Sequence, residues 1–168
     1  IISALTGALY RAGGNLEDAS MTILEGEFAM IFLSSLKGAA ACAKLCTQLN
    51  AIERRLGLSI SVKEIKRRLI RGAKHSTGTS PWVVSVLGKD RTGIVYRVTE
   101  LLADSGLNIT DLNSRIMGGG SKASYALILE VDIPKSAQII ARLKRQFRIL
   151  EGKLKVRITL NPIESERF

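Results

Sequence analysis

Asp90 and Arg91 stand side by side in "GKDRTGIVYRVTELLADSGLNITDL", residues 88–112, just ahead of an apolar pattern with helical spacing. A helix N-terminus presents unsatisfied N–H groups and the positive end of a dipole, an arrangement suited to a carboxylate. Thr92 and Gly93 fall at that end. Asp90 can pair with an ammonium, and the forked donors of Arg91 can reach a carboxylate. Asn108, like Asn15 near the start of the chain, both donates and accepts. Together these groups have the chemistry to hold a small zwitterion. The structural alternative is that Asp90 caps the helix and that Gly88, Gly93 and Gly106 serve backbone turns.

No catalytic set is legible beside them. The single histidine, His75, lies in "AKHSTGTS", which reads as a linker, and no Ser or Cys pairs with a His and an acid. Cys42 and Cys46, the only cysteines, are four apart on one helix face. Two ligands make no metal site, so both are expected to pack inward as small apolar residues. "GGG" at 118–120 reads as a hairpin tip, because no helix with Lys-Ser/Thr follows it. No enzymatic activity, cofactor or metal is expected.

The elements that position Asp90 and Arg91 occur twice. Shifting the chain by 93 residues superposes Ile94 on Ile1, Leu102 on Leu9, Gly106 on Gly13, Asn108 on Asn15 and Asp111 on Asp18. After a four-residue gap, "EFAMIFL" answers "SYALILE". In the second copy "PWVVSVLG" reads as a buried strand, and Ile94, Val95, Val98, Leu101 and Leu102 as one face of a helix ending near Gly106. "LNITDLNSRI" is a strand whose apolar residues are only approximately in phase, which points to a bulge. "MGGGSK" is a turn and "ASYALILEVDI" the returning strand. A helix starts at Pro134 with Ile139, Ile140, Leu143 and Phe147 inward, and "KLKVRITL" alternates as a half-buried strand. The order β-α-β-β-α-β is a ferredoxin-like unit of the α+β class with sheet order 4-1-3-2.

The first copy reads as helix 1–12, strands near 15–24 and 26–35, a helix from 37 to about 56 and a strand near 58–66. Its opening strand, central in that sheet order, is lacking. The expected organisation is an N-terminally incomplete unit over 1–66, a linker over 67–80 and a full unit over 81–168.

The pattern Gly88-x-Asp90-Arg91-x-Gly93, followed by Gly106-x-Asn108-Ile109, resembles the ACT domain. More closely, the chain resembles the tandem-ACT family of the glycine cleavage system transcriptional repressor. The first copy keeps Gly13, Asn15 and Leu16 but lacks the D-R loop. The resemblance implies a regulatory protein that binds a small amino acid between paired domains. The loop Asp90, Arg91, Thr92, Gly93 would face the strand start Gly14, Asn15, Leu16, and Asn108 with Ile109 would belong to the reciprocal site. It also implies a homodimer, a protein partner such as a transcriptional regulator, and a place in glycine, one-carbon or other amino-acid metabolism.

The formal charge of +10 bears on partners. Residues 61–75 hold six basic side chains (Lys63, Lys66, Arg67, Arg68, Arg71 and Lys74) against Glu64. Such a run reads as a solvated linker; the alternative is a basic nucleic-acid-binding regulator. RNA-binding sheets of this topology rely on aromatics on the central strands, and here Tyr125 stands alone, so direct nucleic-acid binding is not expected. No apolar run reaches the roughly 20 residues of a membrane span, and no signal peptide is recognisable. A cytoplasmic protein is expected.

Overall fold

Leu5, Ala8 and Leu9 recur at helical spacing and are buried on one side of α1 (Ile2–Arg11). They meet Leu45, Leu49 and Ile52 of α2 (Ala39–Leu56). Between these helices run β1 (Asn15–Leu24) and β2 (Glu27–Ser35), an antiparallel pair whose Met30 and Phe32 pack on the same cluster. The computed structural model describes residues 1–66, 74–118 and 123–163. Its contacts separate into two units, Ile1–Arg68 and Leu69–Phe168.

The second unit contains β3 (Thr79–Lys89), α3 (Ile94–Asp104), β4 (Asn108–Met117), β5 (Ser124–Pro134), α4 (Ala137–Leu154) and β6 (Val156–Pro162). Its antiparallel sheet has the order β4-β5-β3-β6, the expected ferredoxin-like arrangement. Val84 and Val86 of β3, Leu127, Leu129, Val131 and Ile133 of β5, and alternate residues of β6 meet Ile94, Val98 and Leu102 of α3. Leu143, Phe147 and Leu150 of α4 close the same core. The helix expected from Pro134 starts later. Pro134 ends β5, and Ser136 caps α4 by accepting from the Ile139 N–H.

The repeat extends to small structural devices. After α1 and α3 the chain turns through Gly13 (φ +75) and Gly106 (φ +69), a left-handed conformation that costs L side chains about 1–2 kcal/mol. Bulges interrupt the ladders between Leu16 and Asp18 and between Ile109 and Asp111. At the end of α2, Glu53 accepts from the Ile60 N–H at 2.8 Å, and at the end of α4 Glu151 accepts from the Ile158 N–H at 2.6 Å.

One expected strand does not form. Residues 58–66 are irregular, although Leu58 and Ile60 pack against the first unit's core. Their counterpart β6 exists by pairing with β3, and among the described residues the first unit has only the two-stranded sheet β1-β2. The alternating pattern is present, but among the described residues it meets no ladder partner. Of the expected hairpin turn, residues 119–122 lie outside the described residues.

Candidate functional site

β3, an interior strand, delivers the candidate loop at one end of the sheet. Gly88 pairs with Val156, and a Cβ there would lie 2.7 Å from Val156 Cγ1 and 3.0 Å from its Cα. Gly88 is therefore required by strand packing rather than by a ligand. Lys89, Asp90, Arg91 and Thr92 are exposed, and none of their side chains makes a hydrogen bond or ion pair among the described residues. Gly93 is the N-cap of α3 with φ +92, so a side chain there would be strained.

Asp90 does not cap α3. The N-cap makes no side-chain hydrogen bond, and the first turn carries no acidic residue. The capping account of Asp90 is thereby removed. The helix end is open, with backbone donors uncompensated by any side chain, beside one carboxylate and one guanidinium that are both free in solvent.

The strand starts are placed differently. Gly14 is held by packing, since a Cβ there would lie 2.4 Å from Leu9 Cδ1. Asn15 and Leu16 are exposed at the head of β1, where the Asn15 amide donates to Glu17 Oε1 at 3.1 Å. In the second unit Asn108 is exposed and Ile109 half-buried at the head of β4. Lys89 pairs with Ser124 at one end of β5, and Asn108 pairs with Asp132 at the other. Eight residues of strand separate those positions, about 26 Å at roughly 3.3 Å per residue. Loop and strand start of one unit therefore cannot grip the same small molecule.

A second constellation was not legible in the sequence. Asp132 is the one buried charged residue among the described residues, 2% exposed, on the sheet face opposite the helices. It accepts from the Ser76 N–H at 2.8 Å and faces His75 Nδ1 at 2.8 Å. His75 Nε2 lies 3.1 Å from Glu130 Oε1, and Lys74 pairs with Glu130 and, at 3.9 Å, with Asp111. Burial pushes the Asp132 carboxyl up, but the Ser76 N–H and the His75 ring outweigh it and hold the group below its usual range. The Glu130 carboxylate holds the Lys74 ammonium above its usual range. His75 is thus an anchor that ties the segment before β3 onto β5, not a residue of a free linker. Contacts 56 or 57 residues apart leave no local spacing signal by which to find it.

The cysteines also depart from expectation. Cys42 is exposed and Cys46 only half-buried, because the buried stripe of α2 runs through Leu45, Leu49 and Ile52. Among the described residues no group of three or more His, Cys, Asp or Glu could hold a metal. Of the basic run, Lys63 and Lys66 are exposed, while Arg67, Arg68 and Arg71 lie outside the described residues. Among the described residues no helix is long and apolar enough to cross a membrane.

A family model for the ACT domain matches residues 82–148, from β3 into α4. The UPF0237 protein of Methanocaldococcus jannaschii is 37% identical over 76 residues, which cover 45% of this chain and 80% of that protein. The chain belongs to the ACT-domain family. The UPF0237 protein of Streptococcus mutans is 32% identical to this ACT protein over 78 residues, 46% of the chain and 83% of the relative. Among solved structures, an unknown protein from Galdieria sulphuraria superposes with a TM-score of 0.71 at 25% identity, covering 96% of this chain and 90% of its own. A structure provisionally assigned as a glycine cleavage system transcriptional repressor gives a TM-score of 0.69 over 98% and 90% of the two chains. At 19% identity that likeness is one of fold. The ACT resemblance carried by the D-R loop and the G-x-N-I strand start is borne out.

Proposed function

We propose that this ACT protein is a regulatory sensor that binds a small free amino acid and reports its presence to a protein partner. The observation that carries the proposal is the loop Asp90–Gly93: an uncapped helix N-terminus flanked by a carboxylate and a guanidinium that nothing else in the fold uses. The ligand carboxylate is assigned to the Thr92 and Gly93 amides with Arg91 beside them, and the ammonium to Asp90. A small amino acid needs walls on both sides, and Asn108 stands at the far end of the sheet. The other half of the site is therefore assigned to the strand start of a second ACT unit: Gly14, Asn15 and Leu16, or Asn108 and Ile109 of another copy in a homodimer.

The described residues contribute ligand-binding groups rather than a nucleophile with a base, and a non-enzymatic role follows that chemistry. The pathway assignment, glycine, one-carbon or other amino-acid metabolism, and a transcriptional regulator as partner follow the motif resemblance. Calorimetric titration with each of the twenty amino acids tests the reading. A small amino acid should bind, and Asp90→Ala should weaken it. Binding that ignores both Asp90 and Asn15 places the ligand elsewhere.

A further inference from the structure

We propose that the solvent face of α4 is a docking surface for an acidic, amphipathic helical segment of a partner protein. Helix α4 carries five basic residues, Arg142, Lys144, Arg145, Arg148 and Lys153, against a single acid, Glu151. Glu151 is already committed, since its Oε1 accepts from the Ile158 N–H at 2.6 Å. None of the five cations has an ion-pair partner among the described residues, and four of them surround one apolar side chain. Arg142, Arg145, Ile149 and Lys153 follow one another at three- and four-residue steps, which places them on one stripe, and Arg148 lies beside it. Leu143, Phe147 and Leu150 are buried on the opposite side.

Ile149 is 61% exposed in the middle of these charges. Beside it a notch of about 170 Å³ opens between α3 and α4, lined by Leu101, Gln146, Ile149, Leu150 and Lys153. Within the notch region Gln146 Oε1 is buried without a hydrogen-bond partner, an acceptor left for an incoming donor. A Cβ at Gly152, one turn from Arg148 and Ile149, would meet nothing within 4 Å, so a partner backbone can approach closely there. The first unit shows which part of the combination is particular to α4. Its corresponding notch is lined by Gln48, whose Oε1 is likewise buried without a partner, and by Arg55, but has Ala51 where α4 has Ile149.

Charge complementarity selects an acidic occupant, and the apolar centre selects among acidic occupants. A nucleic-acid backbone would leave Ile149 and the notch without an apolar counterpart, and α4's solvent face offers no aromatic ring on which a base could stack. A helix with carboxylates flanking one or two leucines satisfies both features, the carboxylates on the arginines and a leucine over Ile149. The surface belongs to the partner-binding half of the proposed function and rests on it, while amino-acid binding is independent of it.

Fluorescence anisotropy of the whole protein with three labelled probes tests the surface. The probes are an amphipathic Glu/Leu helical peptide of about 18 residues, matching the length of α4, an all-Glu peptide of equal length, and a DNA duplex. The Glu/Leu peptide should bind tightest. Arg145→Glu/Arg148→Glu should weaken it by about tenfold or more, since two attractive contacts become repulsive. Ile149→Asp should weaken it by a similar factor, while Lys44→Glu/Arg54→Glu on α2 should change it less than about twofold. Unchanged unfolding temperatures show that the variants are folded. The proposal is overturned if the charge reversals on α4 leave peptide binding unchanged. It is equally overturned if Ile149→Asp has no effect and the all-Glu peptide binds as well, or if DNA binds more tightly through the same arginines. Intact amino-acid titration alongside any of these results would remove the surface and leave the sensor; the converse would remove the sensor alone.

Discussion

Replacing Asp132 with alanine should destabilise the second unit at neutral pH and cease to do so in acid. The substitution leaves two donors behind, the Ser76 N–H and the His75 ring, each 2.8 Å from the carboxylate in the native protein. A hydrogen bond to a charged group contributes about 1.5–3 kcal/mol, and part of that is recovered by water at the half-exposed His75. A net loss of about 2–3 kcal/mol follows, or on the order of 10–20 °C in Tm for a domain of this size. His75→Gln should lose about half as much, and the double variant should fall short of the sum because the two residues share one contact. The pH dependence fixes the cause. Asp132 in the folded protein titrates below its ordinary value, near 3.8, so its stabilisation is complete above the unfolded-state value. It is lost as pH falls through the depressed folded value. Urea unfolding of native and Asp132→Ala protein should therefore differ fully from about pH 5 upward, and the difference should shrink progressively as pH falls below the ordinary carboxylate value. Equal stability at pH 7, or a difference undiminished at pH 3, refutes the reasoning.

The remaining predictions concern the scaffold of the loop. Gly88→Ala forces a methyl to within 2.7 Å of Val156 Cγ1 and 3.0 Å of its Cα, and should cost about 1–3 kcal/mol in thermal unfolding without abolishing the fold. Glu151→Ala deprives the Ile158 N–H of its acceptor and should cost about 1–2 kcal/mol, while Glu53→Ala, at the matching position of the first unit, should show a similar local loss by amide exchange around Ile60.

The fold was largely legible because its periodicities are local and occur twice. Val98, Leu102, Leu143 and Phe147 announced their helix faces, the alternation of Val156, Ile158 and Leu160 announced β6, and the poor phase of "LNITDLNSRI" announced the bulge at Ile109–Asp111. Pattern misled where the deciding interaction was distant. Residues 58–66 alternate like β6 but pair with no strand among the described residues, so the same pattern yields a strand in one unit and irregular chain in the other. Cys42 and Cys46 share a helix face, yet the buried stripe of α2 is set by Leu45, Leu49 and Ile52. The His75–Asp132 contact joins positions 57 apart, and nothing in "AKHSTGTS" foretells it. At the candidate site, residue types disclosed the loop, but only the strand register put Asn108 at the opposite end of β5.

The central claim is that Asp90–Gly93 holds the charged ends of a free amino acid. Isothermal titration of the native protein, Asp90→Ala and Asn15→Ala with the twenty amino acids tests it most directly. Losing one hydrogen bond to a charged ligand group costs about 1.5–3 kcal/mol, so each variant should bind the preferred amino acid roughly ten- to a hundredfold more weakly. The folded stability of both variants should stay close to native, because Asp90 caps nothing and Asn15 is exposed. No heat of binding from any of the twenty, or an affinity that neither substitution changes, would contradict the account.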